Sequence, residues 1–182
     1  MEKSVLPPNP TKVATKWALI NALTAIIITY LMHFLNVPLK SPLQYVTYVF
    51  FIGYLFLTQK EFKEQLNGFI TFGQAFSAGF RYAVFTGLLT AVFIYLYYSI
   101  LNPEAYDQIL EVTQQSMEEQ NAPSSQIDKT MEMMHSWGPL LSAFGVAVGS
   151  AILGAIISLI TAAILKKERS PLDIAESAID PE

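Results

Sequence analysis

The stretch PLLSAFGVAVGSAILGAIISLITAAIL, residues 139–165, contains no charged side chain. As a helix it is roughly 40 Å long, against the about 30 Å hydrocarbon core of a bilayer. It is apolar on every side, so neither an amphipathic surface helix nor an alternating strand fits it. A tilted membrane span, or one beginning in the headgroup layer, does. Three more runs follow from the same reading. Residues 17–36 follow Lys12 and Lys16 and lack acids and strong bases. The run is too long for a signal-peptide core and no small-x-small cleavage site follows it. Residues 39–58 enter at Pro38 and Pro42 and are rich in aromatics, and residues 79–101 are crowded with Tyr and Phe toward their end. Trp17 and Trp137 flank apolar runs, where amphipathic rings prefer the interface.

These runs predict an all-α fold, an integral membrane four-helix bundle. It has a tail at residues 1–16, a membrane domain at 17–167, and a disordered tail at 168–182 that is short, acidic and Pro-bearing. Of the 182 residues 52% are hydrophobic and 14% charged, well below the charge of a soluble domain. The net charge of −4 gives no reason to expect nucleic acid as a partner. With no cysteine, thiolate metal sites, disulfides and cysteine nucleophiles are excluded.

Orientation follows from Lys and Arg. Alternate segments hold nine and two of them: the tails and the 59–78 connection with Arg81 are rich, and the other two loops carry only Lys40 and Lys129. The positive-inside rule places both termini in the cytoplasm of a multi-pass cell-membrane protein, with residues 102–136 outside. That loop reads as a helical extracytoplasmic hairpin between spans three and four. One helix follows Pro103, a turn falls at Asn121-Ala122-Pro123, and a second helix opens at Ser124 with Ser125 and Asp128 as a capping pair. Residues 66–80 are apolar but broken by Gly68, Gly73 and Gly79, and Phe69, Phe72, Phe76 and Phe80 share a stripe. They form either an interfacial helix or the start of span three.

Few residues point to chemistry. In span four, Gly145 and Gly149 make G-x-x-x-G, Ala143, Ala147, Ala151 and Ala155 form a ridge, and Ser150, Gly154 and Ser158 form another. Small residues at this spacing let helix backbones meet, within the chain or across a homo-oligomer. Met131, Met134 and His135 share a helical face and are the one candidate set for a soft metal; filler methionines in an amphipathic helix explain them as well. His33 sits near an interface, Arg81 near a headgroup layer, and Gln74 is free to bond between helices. No span holds Asp or Glu, and no nucleotide-binding, zinc-protease or serine-hydrolase motif appears. The two histidines have no evident nucleophile partner, so the reading is non-enzymatic, with no cofactor.

The run Gly68-Phe69-Ile70-Thr71-Phe72-Gly73-Gln74-Ala75-Phe76, the Asn102-Pro103-x-x-Tyr106 exit from span three, and residues 154–167 resemble the bacterial domain of unknown function 4199 family. The resemblance covers residues 15–167. It implies a bacterial cytoplasmic-membrane protein and brings no activity, ligand or catalytic residue. The leading expectation is an accessory or interaction module of the cell envelope, with the lipid bilayer and an unknown protein as partners. The alternative is a small oligomeric transporter or channel for a solute or metal ion. Its polar lining would be Asn21, Thr24, Thr86 and Thr90, and a path is expected only between copies.

Overall fold

The computed structural model describes residues 8–38 and 40–168. The expected C-terminal tail falls, Glu168 apart, outside them. The described residues form α1 (Pro10–Phe34), a short 3-10 turn (Pro42–Tyr45), α2 (Val46–Gln65), α3 (Phe72–Leu96), a wide π turn (Tyr97–Leu101), α4 (Pro103–Glu119) and α5 (Ser124–Leu165). They contain one isolated antiparallel bridge, Ile70 to Lys167, and no strand.

The helix ends have local causes. Asn9 caps α1, its Oδ1 accepting from Thr11 N at 2.9 Å with Pro10 at the first helical position, so the helix begins inside the expected tail 1–16. α2 runs on to Gln65 through Lys60, Glu61, Lys63 and Glu64. It closes through Asn67 and Gly68, both at positive φ (57° and 82°), where the turn favours a residue without a Cβ. Thr71 and Gln74 then form a capping box at the start of α3. Residues 72–80 are therefore the first turns of α3, and Gln74 bonds to its own helix end rather than between helices. The expected second outer helix merges with span four into the 42-residue α5. No side-chain cap opens α5, so the Ser125–Asp128 pair is not used. Pro139 lies inside this helix, where it removes one N–H donor.

α1, α3 with its π extension, and α5 are long and apolar enough to cross a membrane, by length and composition. α2 is shorter and charged at its end. The burial pattern is inverted relative to a soluble bundle. Ala14, Ala18, Ala75, Ala78, Thr58, Gln59 and Ser158 are buried, while Leu23, Ile27, Leu88, Val92, Phe144, Ile152 and Ile164 are exposed. A protein in water hides its large apolar side chains; one in lipid has no reason to.

α3 packs against α1, α2 and α5, most extensively α5. A Cβ added at Gly87 would come within 2.9 Å of Ser150 Cβ and 3.0 Å of Ala147 O. One added at Gly154 would overlap Ala83, and one at Gly79 would overlap Ser158 and Gln59. The helices thus meet backbone to backbone. Gly145 and Gly149 face open space instead.

At one end α1 and α3 begin and α2 and α5 finish, and the basic residues gather there. Lys16 pairs with Glu61, which also accepts from Trp17 Nε1 at 2.7 Å. Arg81 donates to Thr11 Oγ1 at 2.7 Å, and Lys63 donates to Leu165 O at 2.9 Å, closing the end of α5. At the opposite end Asn102 Nδ2 lies 3.4 Å from His33 Nδ1, and α4 folds back on α5. There Tyr106 fills the notch of Gly138 and donates to Met134 O at 3.2 Å. Burial raises the Tyr106 phenol above its ordinary pKa, so the hydroxyl stays a donor.

The two kinds of glycine respond with opposite sign to the same substitution. Gly154→Ala forces a methyl into Ala83 and costs about 1–3 kcal/mol. Gly145→Ala meets nothing and gains up to about 1 kcal/mol of helix propensity. Thermal unfolding of the detergent-purified variants measures both.

Candidate functional site

Between α1, α2, α3 and α5 lies a cavity of about 880 Å³. The lining lies away from the basic end and reaches the exposed His33, Asn36 and Gln108 toward the opposite end, so position along the cavity can be read from the sequence. The deepest lining residues are Asn21 on α1, Phe51 on α2, Thr86 on α3 and Leu153 on α5. The lining climbs α1 from Asn21 to Asn36, roughly 22 Å at helical rise. His33, Asn36, Gln44, Tyr98 and Gln108 surround the mouth. Thr24 and Thr90 stand one turn above the floor, and Thr29, Thr47 and Ser150 continue the polar lining upward.

Among the described residues no Asp, Glu, Lys or Arg lines the cavity. Its polar groups are hydroxyls, amides and the His33 imidazole, set among Phe and Tyr rings. Thr24 Oγ1 bonds to Ile20 O at 2.9 Å and contacts Tyr54 Oη at 3.1 Å. The Thr86 hydroxyl, on a residue 2% exposed, makes no well-formed hydrogen bond, and its neighbour Tyr82 donates to Phe51 O at 3.1 Å. The buried Asn21 amide has no protein partner among the described residues. Unsatisfied polar groups cost free energy, and a cavity floor is where a ligand can supply the missing partner.

Beneath the floor the helices close. The Phe51 and Tyr82 rings meet at a tilt, 5.5 Å between centroids, and pack with Ala14, Ala18, Leu55 and Ala83. Below them Gln59 Nε2 donates to Ser158 Oγ at 2.9 Å, and Ser158 Oγ donates to Phe76 O at 3.0 Å. Gln59 Oε1 is buried without a partner among the described residues. This knot joins α2, α3 and α5 through side chains.

The four residues expected to line a path, Asn21, Thr24, Thr86 and Thr90, all face this cavity. One copy brings the four to a single cavity that is closed at its floor. The small-residue set of span four divides. Ala147, Ser150, Gly154 and Ser158 meet α3 or α2, whereas Gly145 and Gly149 form cavity wall. Ala143 is buried and Ala151 half-buried. Met131, Met134 and His135 lie on the part of α5 that packs with α4; His135 is exposed, and the Met134 carbonyl is taken by Tyr106. Of the family-motif residues, Gly68 makes the turn, Phe72, Gly73 and Gln74 open α3, and Phe76 packs on the core and stacks on Phe80 at 5.7 Å. The Gln59–Ser158 knot was not anticipated from sequence. Its signal was an amide just before the charged run of span two, and spacing alone could not supply its partner.

The two buried hydroxyls differ in consequence. Ser158→Ala breaks two bonds in the knot and costs about 1–3 kcal/mol. Thr86→Val breaks no well-formed bond and leaves stability within about 1 kcal/mol. Unfolding midpoints in one detergent separate them.

No curated protein and no solved structure matches the chain. The family described as "Protein of unknown function (DUF4199)" matches residues 16–167, and the chain belongs to that family.

Proposed function

We propose that this is a four-span protein of the bacterial cytoplasmic membrane, with both termini cytoplasmic, that admits a small uncharged solute into a vestibule open to the outer side. The observation that carries the reading is the cavity within a single copy, lined among the described residues by apolar, hydroxyl and amide side chains with no Asp, Glu, Lys or Arg. Four crossings follow from α2 running antiparallel to α1 and α3. Its 3-10 turn and apolar turns separate Pro42 from Lys60 by about 28 Å, close to the hydrocarbon thickness. The gathered basic residues then face the cytoplasm. The cavity opens at the other end, where α4 and α5 stand above the membrane as a hairpin.

Charge exclusion supports a solute that is neutral. Bringing an ion to this depth without a counter-charge costs several kcal/mol. The site therefore suits passage or reception of an uncharged molecule, and a metal ion fits it poorly. The closed floor means that transport requires the Phe51–Tyr82 contact to separate, a step of the alternating kind.

A second reading, an envelope interaction module, draws on a separate observation. The α4–α5 hairpin exposes Glu104, Asp107, Glu111, Glu118 and Glu119 and presents an acidic surface to a basic partner. Purification from the native host with mass spectrometry of bound protein tests it.

Because the chain has no cysteine, single replacements report topology directly. Ser125→Cys and Thr90→Cys are expected to react with a small impermeant thiol reagent applied outside intact cells. Glu64→Cys is expected to react only after permeabilisation. An unreactive Thr90→Cys beside a reactive Ser125→Cys overturns the vestibule, and reversed accessibility of Ser125→Cys and Glu64→Cys overturns the orientation.

A further inference from the structure

The chemistry of the cavity names the class of its ligand, an inference that rests on the vestibule reading above. We propose that the cavity binds a neutral polyhydroxylated compound, with Asn21 as its deepest hydrogen-bonding partner.

Three observations converge on that class. First, among the described residues no Asp, Glu, Lys or Arg lines the space and the His33 imidazole stands at the mouth, so a charged ligand would lose its hydration at the floor with nothing to replace it. Second, the polar lining includes groups that both donate and accept, the hydroxyl of Thr90 and the amides of Asn21, Asn36 and Gln44. Such groups match ligand hydroxyls, which also do both. A ligand with acceptors only would leave the Thr and Asn lone pairs empty, and one with donors only would leave their protons unused. Third, Asn21 is more than nine-tenths buried, lines the floor, and its amide has no hydrogen-bond partner among the described residues. Native proteins rarely leave such a group at a cavity without a role. The Phe51 ring shares that floor and gives a flat apolar surface on which the C–H face of a polyol ring can lie. The volume falls within the about 300–1,000 Å³ of sites that enclose a small organic molecule. The source of the hydroxyls is either a free polyol from outside or the headgroup of a neutral glycolipid.

The test is protection of a reporter thiol. Thr90→Cys protein in phosphatidylcholine vesicles is reacted with hydroxyethyl methanethiosulfonate, which is small and neutral. Myo-inositol and erythritol are compared with gluconate and glucosamine, and a separate set of vesicles carries monoglucosyl diacylglycerol. The expected result is slower modification with a neutral polyol or the glycolipid, about threefold when the probe stands at twice its dissociation constant. Protection by the soluble polyols identifies a free solute, and protection by the glycolipid alone identifies a headgroup. Asn21→Leu in the same protein abolishes the protection, while modification of Ser125→Cys is unaffected by any probe. Equal protection by gluconate or glucosamine overturns the proposal, as does a reactive thiol that none of the neutral probes protects. A Thr90→Cys thiol that never reacts, with Thr47→Cys on the facing wall equally silent, counts against the vestibule itself. Thr47→Cys also serves as reporter if the Thr90 variant fails to fold.

Discussion

The rest of the structure depends on how closely α3 and α5 approach. Lipid removes the hydrophobic drive that joins helices in water, so contact distance and internal hydrogen bonds must supply the attraction. Gly87 against Ala147 and Ser150, and Gly154 against Ala83, bring the two backbones to a separation that any larger side chain would prevent. Gly79 leaves room for Gln59 and Ser158 to bond across three helices. At membrane depth each polar side chain needs a partner inside the protein, and the Gln59–Ser158–Phe76 knot provides one where α2, α3 and α5 meet.

Tight packing at one end makes the opening at the other. Below Asn21 and Thr86 the facing residues are mostly Ala, Gly and Ser, and the helices close. Above them Phe and Tyr line the facing surfaces, and the π turn at Tyr97–Leu101 resets the helix. That turn places Tyr97 inward, edge-on to Tyr30 at 5.8 Å. Bulky rings that meet edge to edge hold helices apart and leave space beside them. Gly145 and Gly149 enlarge that space by presenting bare backbone to it.

The basic end is tied by long-range polar contacts that fix the order of the helices. Glu61 receives Lys16 and Trp17, and Trp17 stacks on Tyr54 at 5.5 Å. Tyr54 in turn reaches Thr24 beneath the cavity wall. The Ile70–Lys167 bridge, with bonds of 2.8 and 2.9 Å, fastens the last described residues to the turn before α3. These contacts connect segments from 30 to 97 residues apart.

Much of this molecule was legible in the order of its residues. Runs such as 139–165 fix helices and a membrane-like solvent, because backbone hydrogen bonds in lipid leave no other choice for an unbroken apolar segment. Asn9-Pro10, Thr71 with Gln74, and Gly68 mark helix ends through local geometry, within reach of a few residues. The family was legible for the same reason, since its motif is one continuous turn and cap. Small-residue spacing announced close packing on α5 but could not say which ridge meets a neighbour. Every fourth residue shares a face, and two ridges competed. Gly145 and Gly149 face the cavity and Gly154 faces α3 because of the rotation of α5 about its axis, which is set by contacts with Ala83, Gly87 and Gln59 on other helices. The cavity likewise has no sequence signature, because Asn21, Thr24, Thr86 and Thr90 are brought together only when α1 and α3 pack. The sequence alone determined helices, solvent and family, which depend on neighbours along the chain. The site was decided by tertiary structure, since an empty space is defined by what surrounds it from several helices at once.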